Sequence, residues 1–479
     1  MNTKKKMDRR DFLKMTAAVG GTAALGPVIA GCQPQATPET VEVETVVEKV
    51  ITATPTPPVN IITQPWVISL LGADDAALRY NNDPIYNPDG VVVNMADGQS
   101  DWQTKAIELS RRNEIPWDAY LWAPTWIYGY QLYKAGALEP LDEYIAASKV
   151  PDADKLADPG FYAADSIWPA GYFDGRPYQI PALAYSSAVA YYVDMLQEVG
   201  YDKPPETWDE FTACAHKLKK AYAADDIVPI AFSPDWLRSP GSIHATFTDQ
   251  PYDDTPEQLT KIDDPAMWDA MDMMVGWFKD GLCSFEMVTA TEPISQFWER
   301  KRSAMAIEAH RWVRAGQQIH GVWACQGQNL PVPNAGDPPR TWMTVDGSIV
   351  FKNAKNPQKA VDFLLACTGP EGAASDRYYQ GGLASEGCPL HLSTFDRLVP
   401  EDSPDYWVRQ TYEAMNNSVP APLTGSQNIM LFHFRPYLES MLKGEVTVKE
   451  GCKKAQEEIR ALVQKFQKDA GEGEIDVHN

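Results

Sequence analysis

Fifteen tryptophans, 65 acidic residues and seven histidines are the side chains in this sequence with chemistry to offer. A phosphate-binding glycine loop, a GxSxG elbow, an HExxH helix and a dinucleotide fingerprint are all absent. A pair of carboxylates working as acid and base is compatible with so many Asp and Glu, yet chance alone brings two together in such a chain. His310 and His320 flank Arg311, Trp312 and Arg314, a grouping that reads as structural or solvent-facing. The seven cysteines, at 32, 214, 283, 325, 367, 388 and 452, form neither a CxxC pair nor a Cys/His cluster with zinc spacing, so neither metal nor cofactor is expected. The tryptophans differ, because many stand beside predicted strand ends and outside helical stripes. A sugar ring has an apolar C–H face and a polar hydroxyl rim. Flat aromatic rings cover the first, and Asn, Gln, Asp, Glu and Arg satisfy the second.

Length and charge narrow the classes further. A chain of 479 residues has room for two or three domains with full cores. The net charge is −23, and because residues 1–31 carry +4, the remainder carries −27. A body this acidic argues against nucleic acid or an anionic membrane as a surface partner.

The elements that must position the candidate side chains are organised around residues 175–218. Residues 177–192 are apolar, aromatic and small, and Pro181 within them predicts two extended pieces meeting at that proline. A short helix ending at Gly200 follows. Pro204-Pro205 then precede Thr207-Trp208-Asp209-Glu210, a capping box, behind which Trp208, Phe211, Ala215, Leu218 and Tyr222 share a helical face. This order of pieces resembles the bacterial extracellular solute-binding proteins of ABC importers (family 1, maltose-binding-protein-like). The matching positions are Asp174-Gly175-Arg176-Pro177-Tyr178, Ile180-Pro181, Tyr191-Tyr192, Gly200, Pro205 and Thr207 to Glu210. Tyr192-Val193 departs from the family's usual Asn-Lys. In that family the extended piece at the proline carries the chain from one lobe to the other, beside the ligand.

From the N-terminus, Arg9-Arg10 ahead of Phe12-Leu13-Lys14 resembles the twin-arginine export signal. The run to Gly31 holds four glycines and a proline, and is too short and too weakly apolar for a permanent transmembrane helix. Ile29-Ala30-Gly31-Cys32 resembles a lipoprotein cleavage box, which makes Cys32 the lipidated residue. The other six cysteines are open to pairing in an exported protein or to burial as thiols. Residues 33–59 are rich in Pro, Thr, Val and Glu and read as a stiff, solvated tether.

The body begins near Asn60, with strands at 61–63 continuing through 67–68, and at 91–95. Ser100 to Gln103 caps a helix with Trp102, Ala106 and Leu109 on one face. Residues 117–122 read as a buried strand, and Pro124-Thr125 as a helix start. Asp264-Pro265 opens a helix that Gly281 stops, Asn356-Pro357 opens a well-capped one, and Thr447 to Glu450 is a second capping box before the last helix. Tyr133 to Leu141, Ser303 to Ile307 and Gly369 to Gly372 extend the resemblance, which covers Asn60 to Lys468. Strand–helix alternation of this kind points to α/β lobes.

The resemblance implies an α/β, two-lobed periplasmic-binding-protein fold (type II-like) with a ligand cleft between lobes and two or three crossing segments. Crossings are expected near 178–185, 342–346 and 381–385. The expected organisation is a signal at 1–31, lipidated Cys32 and tether at 32–59, lobe 1 from 60–180 and 343–383, and lobe 2 from 181–342 and 384–479. Trp122 stands where the resemblance puts a sugar-stacking aromatic, and Trp126 lies one turn on. Tyr185 and Ser186 follow the Pro181 crossing, and Arg311 and Trp312 follow the Ala304-Met305 strand. Trp236, Gln64, Trp66 and Phe432 (or Phe434) complete the candidates, whereas Trp208 and Trp268 read as core. The expected function is a non-enzymatic, lipid-anchored receptor on the outer face of the cytoplasmic membrane. It would be a monomer handing a mono- or oligosaccharide to an ABC permease. The rival readings are an exported carbohydrate-active enzyme and a sensor or adhesin of the same fold.

Overall fold

The computed structural model describes residues 59–65, 73–96, 102–158, 160–162, 164–236, 238–289, 297–309, 311–372, 387–388 and 390–472. Its strands are β1 (Asn60–Pro65), β2 (Val92–Met95), β3 (Ala119–Ala123), β4 (Tyr172–Phe173), β5 (Arg176–Pro177), β6 (Ile180–Tyr192), β7 (Val228–Phe232), β8 (Ser303–Ala309), β9 (Cys325–Gln328), β10 (Met343–Val350) and β11 (Gly387–Cys388). Cys32, tether residues 33–58, Trp66, residues 67–68, Ser100 and Asp101 of the first capping box, and the 381–385 crossing lie outside the described residues.

β6 holds the architecture together. Residues 180–186 pair antiparallel with β10, which also pairs with β3, and β3, β1 and β2 complete a sheet whose last three strands are parallel. From Ser187 onward the same strand pairs with β8 on one edge and β9 on the other, and β7 flanks β8. Thirteen residues at a rise of about 3.3 Å make a rod of roughly 40 Å. Every residue of it is buried except half-buried Tyr185, as expected of a strand covered on both faces. Two sheets joined through one strand, with helices packed on each, give the two lobes. β10 and β11 accompany β6 on the first side of the crossing, β11 opposite Ala184 and Tyr185.

The two extended pieces expected at Pro181 are one strand. Gly347 lies opposite Pro181 and Asp346 opposite Leu183, so Ala182 is an extra residue in a bulge. The bulge interrupts the ladder next to the residue that has no N–H to give it, which is why the proline is tolerated.

The helix starts follow their caps. The Thr207 hydroxyl accepts the Glu210 N–H at 3.4 Å and begins the Trp208–Ala221 helix. Asp264 caps Ala266 at 2.9 Å. Thr447 and Glu450 bond reciprocally, at 3.1 and 3.3 Å, ahead of the Val448–Glu472 helix. Asn356 does not cap the Pro357–Thr368 helix, because its amide turns instead toward the Asn60 carbonyl on β1. Trp268 is not core either. It is half-buried at a helix edge, with Lys449 4.6 Å from the ring centre and its N–H donated to Asp263. Cys214, Cys283, Cys325, Cys367 and Cys452 are buried free thiols, and burial pushes all five pKa values up.

Two buried histidines make stability depend on pH. His244, in the Ser239–Phe247 helix, and His391, whose Nε2 lies 2.9 Å from the Thr368 carbonyl oxygen, are each depressed by burial to about 4. Both are neutral in the folded chain near neutrality, while the unfolded chain binds protons below about 6.5. Stability present above that value is therefore lost as pH falls from about 6.5 to 4. We expect His244→Gln to lessen the slope of unfolding free energy in that window by about 1.4 kcal/mol per pH unit. Urea titrations at stepped pH measure it, and an unchanged slope would refute the assignment.

Candidate ligand site at the lobe crossings

Where β6 exchanges one sheet for the other, hydroxyl side chains take over from the ladder. The Ser187 N–H goes to the Thr341 hydroxyl at 2.8 Å, and the Thr341 N–H to the Ser418 hydroxyl at 2.9 Å. The hydroxyls of Ser187 and Ser242 are 2.5 Å apart. On the first lobe, the Gly347 N–H reaches the Thr125 hydroxyl at 3.1 Å and the Trp122 N–H the Ser348 hydroxyl at 3.2 Å. Short hydroxyl side chains suit such places, since they satisfy a backbone group that a switch or bulge has left without its strand partner.

Trp122 is the extra residue of a second bulge. Gly347 faces Ala123 and Ile349 faces Tyr120, so Leu121 and Trp122 together oppose Ser348 alone. Trp122 has φ +61°, the left-handed conformation that a bulge ordinarily gives to glycine. For a bulky side chain this costs about 1–2 kcal/mol. The bulge also redirects the ring: Trp122 joins Leu121 in the larger core cluster, while Tyr120 and Ala123 face the smaller one. Strand alternation alone would have placed Trp122 with Tyr120.

Trp126 is half-buried in the first turn of the Thr125–Lys134 helix. Tyr185 is half-buried opposite Thr344, and Ser186 is buried opposite Met343. These two immediately precede the point where β6 changes sheets, whereas Trp122, 1% exposed, and Trp126 stand at the end of β3 that meets β10 at Ser348 and Gly347. Trp236 is buried on the second lobe, its ring edge-on to Phe434 at 4.8 Å. Phe432 is half exposed. Trp312 is buried, and its backbone carbonyl accepts the Trp298 indole N–H. Gln64 stands opposite Tyr120 in β1, and Arg311 opens the Arg311–His320 helix.

Glu308, opposite Ala188, is buried and paired with Arg238 at 2.9 Å, and Arg314 pairs with Asp405 at 2.5 Å. Burial, and then the nearby Asp346 charge, hold the Tyr120 hydroxyl well above its ordinary pKa, keeping it a neutral donor. Among the described residues no group of His, Cys, Asp and Glu is set to hold a metal ion, and no helix is long and apolar enough to cross a membrane.

Sequence reading missed Gln131, Gln427 and Asn428. All three are buried, and both polar atoms of the Gln131 and Asn428 amides lack a hydrogen-bond partner among the described residues. Ser426-Gln427-Asn428, directly after Gly425 and before an apolar run, was the only available signal.

Residues 88–383 match the family described as bacterial extracellular solute-binding protein, and residues 6–26 match the twin-arginine translocation pathway signal sequence. The fold is similar to that of the sugar-binding protein MalE from Xanthomonas citri, with TM-score 0.66 and 17% identity over 85% of this chain and 98% of that one. It is also similar to the cyclic alpha-maltosyl-1,6-maltose binding protein from Arthrobacter globiformis, with TM-score 0.65 and 19% identity over 85% and 100%. An ABC substrate-binding protein from Listeria monocytogenes in complex with cycloalternan gives TM-score 0.65 and 17% identity over 85% and 99%.

The strained bulge makes a specific prediction. Replacing Trp122 removes a buried ring in either case, but glycine accepts φ +61° and alanine does not. Trp122→Gly should therefore be more stable than Trp122→Ala by about 1 kcal/mol in urea denaturation. The reverse order would show that the left-handed conformation is not imposed at this position.

Proposed function

This chain belongs to the bacterial extracellular solute-binding proteins, and we propose that it is a lipid-anchored receptor that hands a mono- or oligosaccharide to an ABC permease. The observation that carries the sugar assignment is the grouping of aromatic and neutral polar side chains on β3 and β6, with Trp122 itself 1% exposed in the core and strained by its bulge. An uncharged polyol with one apolar face suits such surroundings, whereas a phosphorylated solute would call for unpaired cations. The fold's likeness to sugar-binding proteins supports the same reading. Trp126, Tyr185, Ser186, Trp236 and Phe432, with Arg311, Trp312, Gln64 and Trp66, are the proposed further contacts.

Lobe 1 is assigned to residues 60–180 and 343–383, and lobe 2 to 181–342 and 384–479, except that residues 181–186 and 387–388 pair within the first lobe's sheet. The open form takes the solute on one lobe and closure completes the site with the other. Ligand favours the closed form only as far as it touches both faces, and the closed form is what the permease engages. No bond in the solute is made or broken. The signal match supports export. Cys32 would carry the lipid, with residues 33–59 as the tether of a monomeric body.

A thermal-shift screen against maltose, maltotriose, cyclic glucans and other sugars tests the ligand class. A bound sugar at about a hundred times its dissociation constant adds roughly 2.7 kcal/mol of stability, and oligosaccharides recovered afterwards should be intact by chromatography. A panel without a shift would sink the sugar assignment, and cleaved products would sink the receptor. Separately, Cys32→Ser should move the exported protein from the membrane fraction to the soluble one. Retention in the membrane fraction would refute the lipid anchor.

A further inference from the structure

The lobes meet away from the crossing strands as well. The Thr125–Lys134 helix of the first lobe packs against the Ser426–His433 and Val448–Glu472 helices of the second. Tyr130 lies 6.2 Å, ring to ring, from Phe466, and Phe466 in turn covers Gly425, where a Cβ would overlap its ring. Gln131 adjoins Tyr130 in sequence, and Asn428 lies one turn beyond Gly425. Gln131 is 1% exposed and Asn428 fully buried, and neither amide has a partner among the described residues. Gln427, also fully buried, donates to the Thr260 hydroxyl at 3.3 Å and leaves its carbonyl oxygen unbonded.

Buried polar atoms in folded proteins are almost always bonded, so unbonded amides on two facing helices call for a reason. Each amide offers two donors and two acceptor positions. Gln131 and Asn428 are each buried within helices that meet here, and their amides together present about eight hydrogen-bonding positions without a partner among the described residues. We infer that Gln131 and Asn428 are an amide gate: closure without ligand leaves them unsatisfied, and a ligand rich in hydroxyl groups supplies the missing partners. The two residues both disfavour the empty closed form and select a solute that donates and accepts. This inference rests on the hinge reading proposed above, but not on which sugar is bound.

The test therefore uses no ligand. Gln131→Met and Asn428→Leu conserve volume and remove the polar atoms, so the unliganded double variant should close spontaneously. Small-angle scattering of the full-length protein should give a radius of gyration below that of the unliganded wild type. Equal radii would overturn the inference, whatever the sugar screen finds. A purely structural role for the amides would alter melting temperature and not the radius. If the double variant does not fold, Asn428→Leu alone should compact the protein partway, and no compaction would be an equally firm refutation. A wild type that shifts with no sugar, beside a variant that compacts, would remove the sugar assignment and leave the gate standing.

Discussion

One strand serving two sheets is the constraint on which the rest depends. A backbone carries one row of donors and acceptors on each edge, so β6 cannot pair with both sheets at the same residues. It gives residues 180–186 to the first lobe and the remainder to the second. The changeover between Ser186 and Ser187 leaves backbone groups without ladder partners, and Ser187, Ser242, Thr341 and Ser418 link the region through hydroxyls. Those side-chain bonds rotate more readily than a continuous ladder, which supplies the compliance that the proposed hinge closure would need.

Bulges nearer the start of β6, and on β3, serve a different end. Ala182 on β6 and the Leu121-Trp122 pair on β3 are both set against β10 around Gly347, so one short stretch of β10 absorbs two irregularities. Gly347 has no side chain to obstruct this, and the Gln179 side chain occupies the space a Cβ would need. The outcome is a large aromatic ring turned out of strand alternation, held in a conformation it would not choose by itself. Strain of this kind persists only where surrounding contacts over-determine it, and it concentrates at binding sites.

The electrostatic design is equally local. The body is strongly acidic, yet beside the crossing Glu308 has Arg238, and Tyr120 stays neutral. Buried charge is tolerated when paired, and pairing leaves it unavailable to a ligand. Hydroxyl, amide and aromatic groups are then the remaining means of recognition. That composition agrees with the proposed uncharged solute and with amides whose hydrogen bonds wait on its arrival.

Residues 175–218 determined much of this protein by themselves. A helix stopped at Gly200 and the Thr207 cap are local features, governed by dihedral preference and near-neighbour hydrogen bonds, and the structure keeps them, whereas the apolar run expected to break at Pro181 is one strand carrying a bulge there. Trp122 was legible as a candidate because it ends an apolar strand, but its left-handed twist was not, since the bulge comes from register against β10 more than 220 residues away. Asn356 was misread as a cap because its competing acceptor, the Asn60 carbonyl, lies 296 positions distant. Gln131 and Asn428 were invisible for the same reason: in a helix an amide looks solvent-facing until another helix covers it. Local chemistry wrote the elements, and only the tertiary contacts decided which polar groups would be left dry.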